Sequence, residues 1–467
     1  MNLNDKDILY HSTNRNLSNL FSNLNKREKV SFKNALFLGL APDNGLYNPM
    51  MIPKISKEEI MMMRDLSYSE VAFDILSRFV EDEIPTDVLN RILNEIYKFE
   101  VPIERVDEHI NLLRLDRGPT CSFKDFGALF MAKVVEYLRE TDKLNLLVAT
   151  SGDTGSAIGN AFKDIDGIKV YILYPKDEVS TFQKKQLHSF GKNVKPIAIK
   201  GKFDDCQRLV KTAFADPTLK EFNLFSANSI NIGRLIPQIV YYFYAYAKVS
   251  NNLSPIIFSV PSGNLGNSLG CELARRMGLP IKRIIIATNE NKVFPEFLST
   301  GIYKKISPSI NCLSNAMNVG HPSNIARYFD LYGGTIDKEG NVYKMPDIEE
   351  MRKHISSFSI SDEETVKIIK IMYKKYNVLL EPHGAVAIAA LEKYFRIYDI
   401  EESICLETAH PFKFYELLSK ELMIEVEAPF WLDLSQIEIN DDIDVIEDDY
   451  EQFKKIFIRA EGERWSG

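Results

Sequence analysis

The chain has 467 residues, 57 of them basic and 65 acidic, for a formal charge of −8, and 45% are hydrophobic. That composition excludes a disordered polymer and a disulfide-stapled mini-protein; at about 150 residues per domain it allows roughly three units, or two large lobes with an appendage. An acidic balance, with a pI near 5.6, is not the footprint of a protein that binds nucleic acid or anionic membrane over its whole surface, although a local anion pocket remains allowed. Cys121, Cys206, Cys271, Cys312 and Cys405 stand singly, with no CxxC pair, which points to a reducing, cytoplasmic setting. The first residues, MNLNDKDILYHSTNRN, lack an apolar core of signal-peptide length, and Asp5 and Asp7 speak against an organellar leader. No later run approaches the ~18 apolar residues of a membrane span.

Residues 1 to about 98 carry apolar positions at helical spacing, as in 66-LSYSEVAFDILSRFV-80 and 88-VLNRILNEIYKF-99, and little that resembles a strand. Within this helical N-terminal unit, 39-GLAPDNGLYNP-49 dictates turns. From about residue 99 the pattern changes to short aliphatic runs alternating with helical segments: LNLLVAT (144–150), IKVYILY (168–174), VKPIAI (194–199), PIIFSV (255–260) and KRIIIAT (282–288). Strands that are apolar on both faces, alternating with helices, predict parallel sheets covered on both sides. A long helix over 233–249 separates two such stretches, so the expected fold class is α/β with two open twisted lobes and ligands at strand C-terminal ends. The acidic stretch 439-INDDIDVIEDDYEQF-453 reads as a solvated face or a partly mobile tail.

Three segments carry chemistry. In 117-RGPTCSFKDFGALFMAKVVEYL-138 a Gly-Pro-Thr turn places Lys124 at the mouth of a helix; a lysine held there can lose its proton and attack a carbonyl, whereas a lone lysine in an arbitrary loop is a surface residue. In 150-TSGDTGSA-157 small residues between a strand and a helix expose N–H groups and the hydroxyls of Ser151 and Thr154, which suits a carboxylate or phosphate. In 259-SVPSGNLGNSLGCELARRMG-278 a second such turn offers successive N–H groups at a helix start, as a phosphate monoester prefers, and it is neither a Walker loop nor a GxGxxG fingerprint. Two anion turns and one upstream lysine describe pyridoxal phosphate, with a further site for an amino-acid carboxylate. No His, Asp or Glu pair has metal-ligand spacing, so no metal is expected.

A longer set of motifs gives a family resemblance. YHSTN near the start, SFKNALFLGLAPDNGLY (31–47), GPTCSFKDFGALFMA (118–132), TSGDTGSA (150–157), NSINIGRLIPQIVYYFYA (228–245), PSGNLGN (261–267), NAMNVGHPSN (315–324), LEPHGAVA (380–387) and ETAHPFKF (407–414) resemble the threonine synthase family of fold type II pyridoxal phosphate enzymes. The resemblance implies a large cofactor-binding domain over 99–125 and 236–467, a small domain over 126–235, and the helical unit over 1–98. It makes Lys124 the Schiff-base lysine and surrounds the cofactor phosphate with Gly263, Asn264, Leu265 and Asn267. It sets Thr408 at the pyridine nitrogen, where a neutral hydroxyl leaves the ring a moderate electron sink. Ser151, Gly152, Asp153 and Thr154 would take the substrate carboxylate, and Arg234 is a candidate for the substrate phosphate or else an ordinary ion pair. The implied reaction turns O-phospho-L-homoserine and water into L-threonine and phosphate by γ-elimination and β-hydration. The only implied partner is that small molecule, with no nucleic acid and no membrane, in a monomer or a homodimer.

The chain departs from the family pattern at three places. Arg117 stands where His is common before Gly-Pro-Thr, Asn267 where the phosphate loop commonly ends in Asp, and His321 where the NVGNPSN stretch has Asn. These keep open a phospho-lyase that releases 2-oxobutanoate, beside a homologue that binds the cofactor without turnover. His383 and His410 read as structural.

Overall fold

The computed structural model describes residues 8–17, 29–80, 82–191, 193–432 and 443–462. Two compact units emerge, one formed by 1–117 and 229–409, the other by 118–228 and 410–467. These boundaries differ from the expected domains in two places. The helical N-terminus is part of the first unit, because Tyr68 packs its ring on both Tyr97 and Tyr244, centroids 5.0 and 5.3 Å apart. Residues 118–125 and everything from 410 onward belong with the 126–228 segment.

The first unit is built on a six-stranded sheet in the order Ile355–Ser359, Ile281–Thr288, Ile256–Pro261, Ser403–Glu407, Ile110–Arg114, Ile103–Arg105. All neighbours are parallel except the last pair. Runs such as Ile284, Ile285 and Ile286 are fully buried, as strands covered on both faces require. The helix Pro382–Phe395 lies on this sheet with its Ala385, Val386 and Ala390 inside. The buried Ser259 hydroxyl is satisfied by the Ala387 carbonyl at 2.7 Å. The N-terminal segment contributes the helices Tyr68–Val80 and Thr86–Ile96 and also a short antiparallel pair that periodicity does not announce, Tyr10–Ser12 with Tyr47–Pro49. The 39–49 turn closes as expected, Asn44 taking a left-handed φ of 62° and donating to the Ala41 carbonyl. The expected continuous helix over 233–249 is instead a short turn Ile232–Leu235, a 3-10 turn Ile236–Ile239 and a helix Val240–Val249. Pro237 has no N–H to continue the ladder.

The second unit carries a fully parallel sheet, Asp444–Glu447, Val194–Lys200, Ile168–Pro175, Leu144–Ala149, Leu224–Ser226. Its core joins Leu147, Tyr171, Leu173 and Ile197 to Phe453 and Phe457. The acidic stretch is therefore no tail over its described residues, 443–453; positions 439–442 lie outside them. Among the described residues no helix is long and apolar enough to cross a membrane.

Candidate active site

In the first unit the strand Ile256–Pro261 ends in a loop that opens the helix Gly266–Met277 through Leu265, which holds a left-handed φ of 60°. Asn267 ties both ends of the loop: its Oδ1 accepts from the Ser262 hydroxyl (2.6 Å) and its Nδ2 donates to the Pro261 carbonyl (2.8 Å). Asn264 is held from outside, donating to the Ser229 hydroxyl while Asn324 donates to its carbonyl. The fully buried Arg327 fixes Asn324 in turn, and also bonds the carbonyls of Tyr47 (2.9 Å) and Ile230 (2.6 Å). Gly263 has no room for a side chain, since a Cβ would stand 2.7 Å from the Met317 Cα. Among the described residues no protein acceptor meets the N–H groups of Gly263, Asn264, Leu265 or Gly266. A helix N-terminus with several open donors is an anion cradle.

The adjacent parallel strand, Ser403–Glu407, ends at the same sheet edge and is followed by the buried Thr408. Behind it lies a buried carboxylate pair. Glu407 accepts the Glu381 N–H at 2.9 Å, and burial together with the Glu381 charge pushes its carboxyl well above the usual carboxylate range. Glu381 caps the Pro382–Phe395 helix and meets His383 Nδ1 at 2.5 Å, while the Ala316 N–H donates to His383 Nε2 at 3.1 Å. Through that contact His383 props the 315–317 segment beside Gly263.

In the second unit Lys124 is the first residue of the helix Lys124–Leu138, its Nζ 5.2 Å from the Phe123 ring centroid. The preceding turn is pinned by the buried Asp125, which accepts from the Thr120 N–H (2.9 Å) and hydroxyl (2.6 Å). A Cβ on Gly118 would come within 2.5 Å of that carboxylate. After the strand Leu144–Ala149, the Thr150 hydroxyl oxygen accepts the N–H groups of Gly152 (2.9 Å) and Gly155 (2.8 Å). Gly152 sits at φ 127°, with Gln183 where its side chain would be. Among the described residues the N–H groups of Ser151 and Thr154, at the start of the helix Asp153–Phe162, meet no protein acceptor. This is a second anion cradle, smaller than the first.

Comparison with known proteins supplies the family. Residues 101–406 match the pyridoxal-phosphate dependent enzyme family and residues 19–97 the threonine synthase N terminus. The chain is 38% identical to threonine synthase from Haemophilus influenzae, over 89% of this chain and 94% of that one, and 37% identical to the Escherichia coli K12 threonine synthase, over 88% and 92%. It belongs to the threonine synthase family. Solved structures agree: the Escherichia coli threonine synthase superposes with a TM-score of 0.86 at 34% identity, covering 97% of this chain and all of that one. A PLP-bound threonine synthase from Brucella melitensis gives 0.87 at 30% identity, over 98% and 100%.

The cofactor of this family, pyridoxal phosphate, fits the residues present. The loop over 263–266 offers open N–H donors to a phosphate, and its side chains add no negative charge. The first unit holds Gly263, Asn264, Leu265, Asn267, Thr408 and the buried Arg234; the second holds Lys124, Ser151, Gly152, Asp153 and Thr154. Two of the expected carboxylate-binding residues have contacts within the protein. The Gly152 N–H is taken by Thr150, so Gly152 shapes the loop and donates nothing outward. The Asp153 carboxylate pairs with the Lys413 ammonium (2.8 Å) and accepts from Gln183 Nε2 (2.9 Å). Lys413, Gln183, Thr150 and Arg327 were passed over as site residues; Lys413 stands in the ETAHPFKF motif, where its apolar neighbours hint at burial. Of the departures, Arg117 pairs with Glu104 at 3.5 Å, and His321 bonds Tyr303 (2.5 Å) and the Lys338 carbonyl (3.0 Å).

Proposed function

We propose that the chain makes L-threonine and inorganic phosphate from O-phospho-L-homoserine and water. The observation that supports it most directly is near full-length likeness to threonine synthases in a chain that keeps Lys124 and both anion cradles. Pyridoxal phosphate, when bound, supplies an aldehyde that condenses with amines and a conjugated ring that takes up the electron pair released at the substrate α carbon. The chain does the rest. The 263–266 loop and Asn267 hold the cofactor's phosphate, and Thr408 offers a neutral hydroxyl to the ring nitrogen. The N–H groups of Ser151 and Thr154 orient the substrate carboxylate, and Arg234 takes the substrate's own phosphate group. Lys124 Nζ holds the cofactor at rest and then moves the protons at Cα and Cβ. In the net reaction the Cγ–O bond breaks and phosphate leaves, Cβ loses a proton and Cγ gains one, and water gives its hydroxyl to Cβ and its remaining proton to phosphate. The five buried cysteines, none in a disulfide, suit a cytoplasmic enzyme.

The test is to supply the protein and its Lys124→Ala variant with cofactor and O-phospho-L-homoserine and to measure phosphate, threonine and 2-oxobutanoate together. Equal phosphate and threonine, lost in the variant by a factor of about 1,000 or more, is expected. Phosphate matched by 2-oxobutanoate would instead make it a phospho-lyase, and cofactor uptake with no phosphate released would mean a silent homologue.

A further inference from the structure

A buried ammonium is tolerated only when it is paired and hydrogen-bonded, and Lys413 is completely buried. It lies in the turn Pro411–Phe414 and donates to the Thr120 carbonyl at 2.9 Å while pairing with Asp153 Oδ1 at 2.8 Å. Thr120 stands in the turn that presents Lys124, and Asp153 lies between the two open N–H groups of the smaller cradle. The turn around Lys413 is itself fastened to both neighbours: the His410 N–H donates to the Cys121 carbonyl (2.9 Å), and the Ser180 hydroxyl to the Lys413 carbonyl (3.0 Å). Gln183 completes the arrangement, bonding Asp153 and filling the space beside Gly152. One cation thus spans the segment bearing Lys124 and the segment bearing the cradle through a single atom.

We propose that Lys413 is a positioning residue: it fixes the spacing between the Lys124 turn and the Ser151–Thr154 loop, and through Asp153 it keeps that loop's N–H groups aimed at the substrate carboxylate. The proposal rests on the function given above and assigns Asp153 to Lys413 rather than to the substrate. A plain core ion pair would have no such consequence.

The experiment uses the cofactor-loaded protein, a Lys413→Met variant and a Lys413→Met/Asp153→Asn double variant. Lys413→Met leaves a buried carboxylate unpaired and can fail to fold; the double variant removes both charges and keeps the test open. The readouts are the change in cofactor absorbance on titration with O-phospho-L-homoserine and with L-threonine, the thermal midpoint, and KM and kcat separately. In the double variant the thermal midpoint should stay near that of the parent, amino-acid affinity should fall about tenfold and KM should rise by a similar factor, while kcat falls by about threefold or less. A stable double variant with parental affinity and KM would overturn the proposal. So would a parent protein that takes up cofactor but responds to neither amino acid. A normal absorbance response without threonine formation would overturn the function alone.

Discussion

Asn267 closes the phosphate loop with a single amide, accepting from Ser262 and donating to Pro261. The family's usual Asp has no donor to offer that carbonyl, so the side chain that fits here is the neutral one, and its neutrality also spares the cradle a like charge beside a phosphate. Asn267→Asp should therefore cost about 1–2 kcal/mol of cofactor binding, one lost hydrogen bond and one new repulsion. That is about a tenfold rise in the dissociation constant for pyridoxal phosphate, read by absorbance titration of the cofactor-free protein, and salt should narrow the gap. Equal affinities at low salt would show that charge at this position is not felt. His321 and Arg117 teach a different lesson. Both differ from the family pattern, yet each is engaged with its own neighbours, Tyr303 and the Lys338 carbonyl for one and Glu104 for the other; a departure in sequence is a change of substrate contact only where geometry makes it one.

At the scale of the element, the helix Lys124–Leu138 begins without a side-chain cap, and Asp125 in its first turn does the fastening by gripping Thr120. Burial raises the Asp125 carboxyl from 3.8 to about 6, against the downward pull of those bonds. The folded state thus keeps a proton that the unfolded chain releases near pH 4. Its contribution is full below that pH and is lost as pH rises through about 6. Relative to an Asp125→Asn variant, which does not titrate, the parent should be more stable at pH 4.5 than at pH 7 by roughly 2 kcal/mol, read from urea midpoints; a flat difference would refute the assignment. The strands that the sequence announces, such as Ile168–Pro175 and Ile281–Thr288, are runs of aliphatic residues whose burial is written in their composition. Ile110–Arg114, Ile355–Ser359 and Ser403–Glu407 escape notice because they carry polar side chains satisfied only by tertiary partners: Asn111 donates to the Ser403 carbonyl, and Ser357 to that of Ile286. The same reason separates the site residues. Glycine-rich turns before helices are legible because the donors are backbone groups that travel with the motif, whereas Lys413 meets Thr120 across 293 residues of chain and no local pattern records the meeting.

At the scale of the whole chain, the last described segment shows charge misleading where packing decides. Asp444, Glu447 and Asp448 make the sequence look like a solvated tail, yet they pair with Lys195, Lys200 and Arg208 of the second unit. Asp444–Glu447 extends the sheet in register with Val194–Lys200, and the helix Tyr450–Gly462 drives Phe453 and Phe457 into the core, the latter ring 4.8 Å from Tyr171. The ion pairs are partly exposed and individually weak; the two fully buried phenylalanines carry the attachment. Phe457→Ala should destabilise the protein by about 3–5 kcal/mol, the cost of a large cavity in a packed core, while the Lys200→Ala change at the surface should cost less than about 1 kcal/mol. Removing residues 443–467 takes away both rings and one strand together, and exposes the Val194–Lys200 edge, a template for pairing with other chains. The truncated protein should show fast amide exchange in Val194–Lys200 and aggregate on mild heating. Retained protection of that strand would mean that the ion pairs and rings at the terminus only decorate a sheet that stands without them.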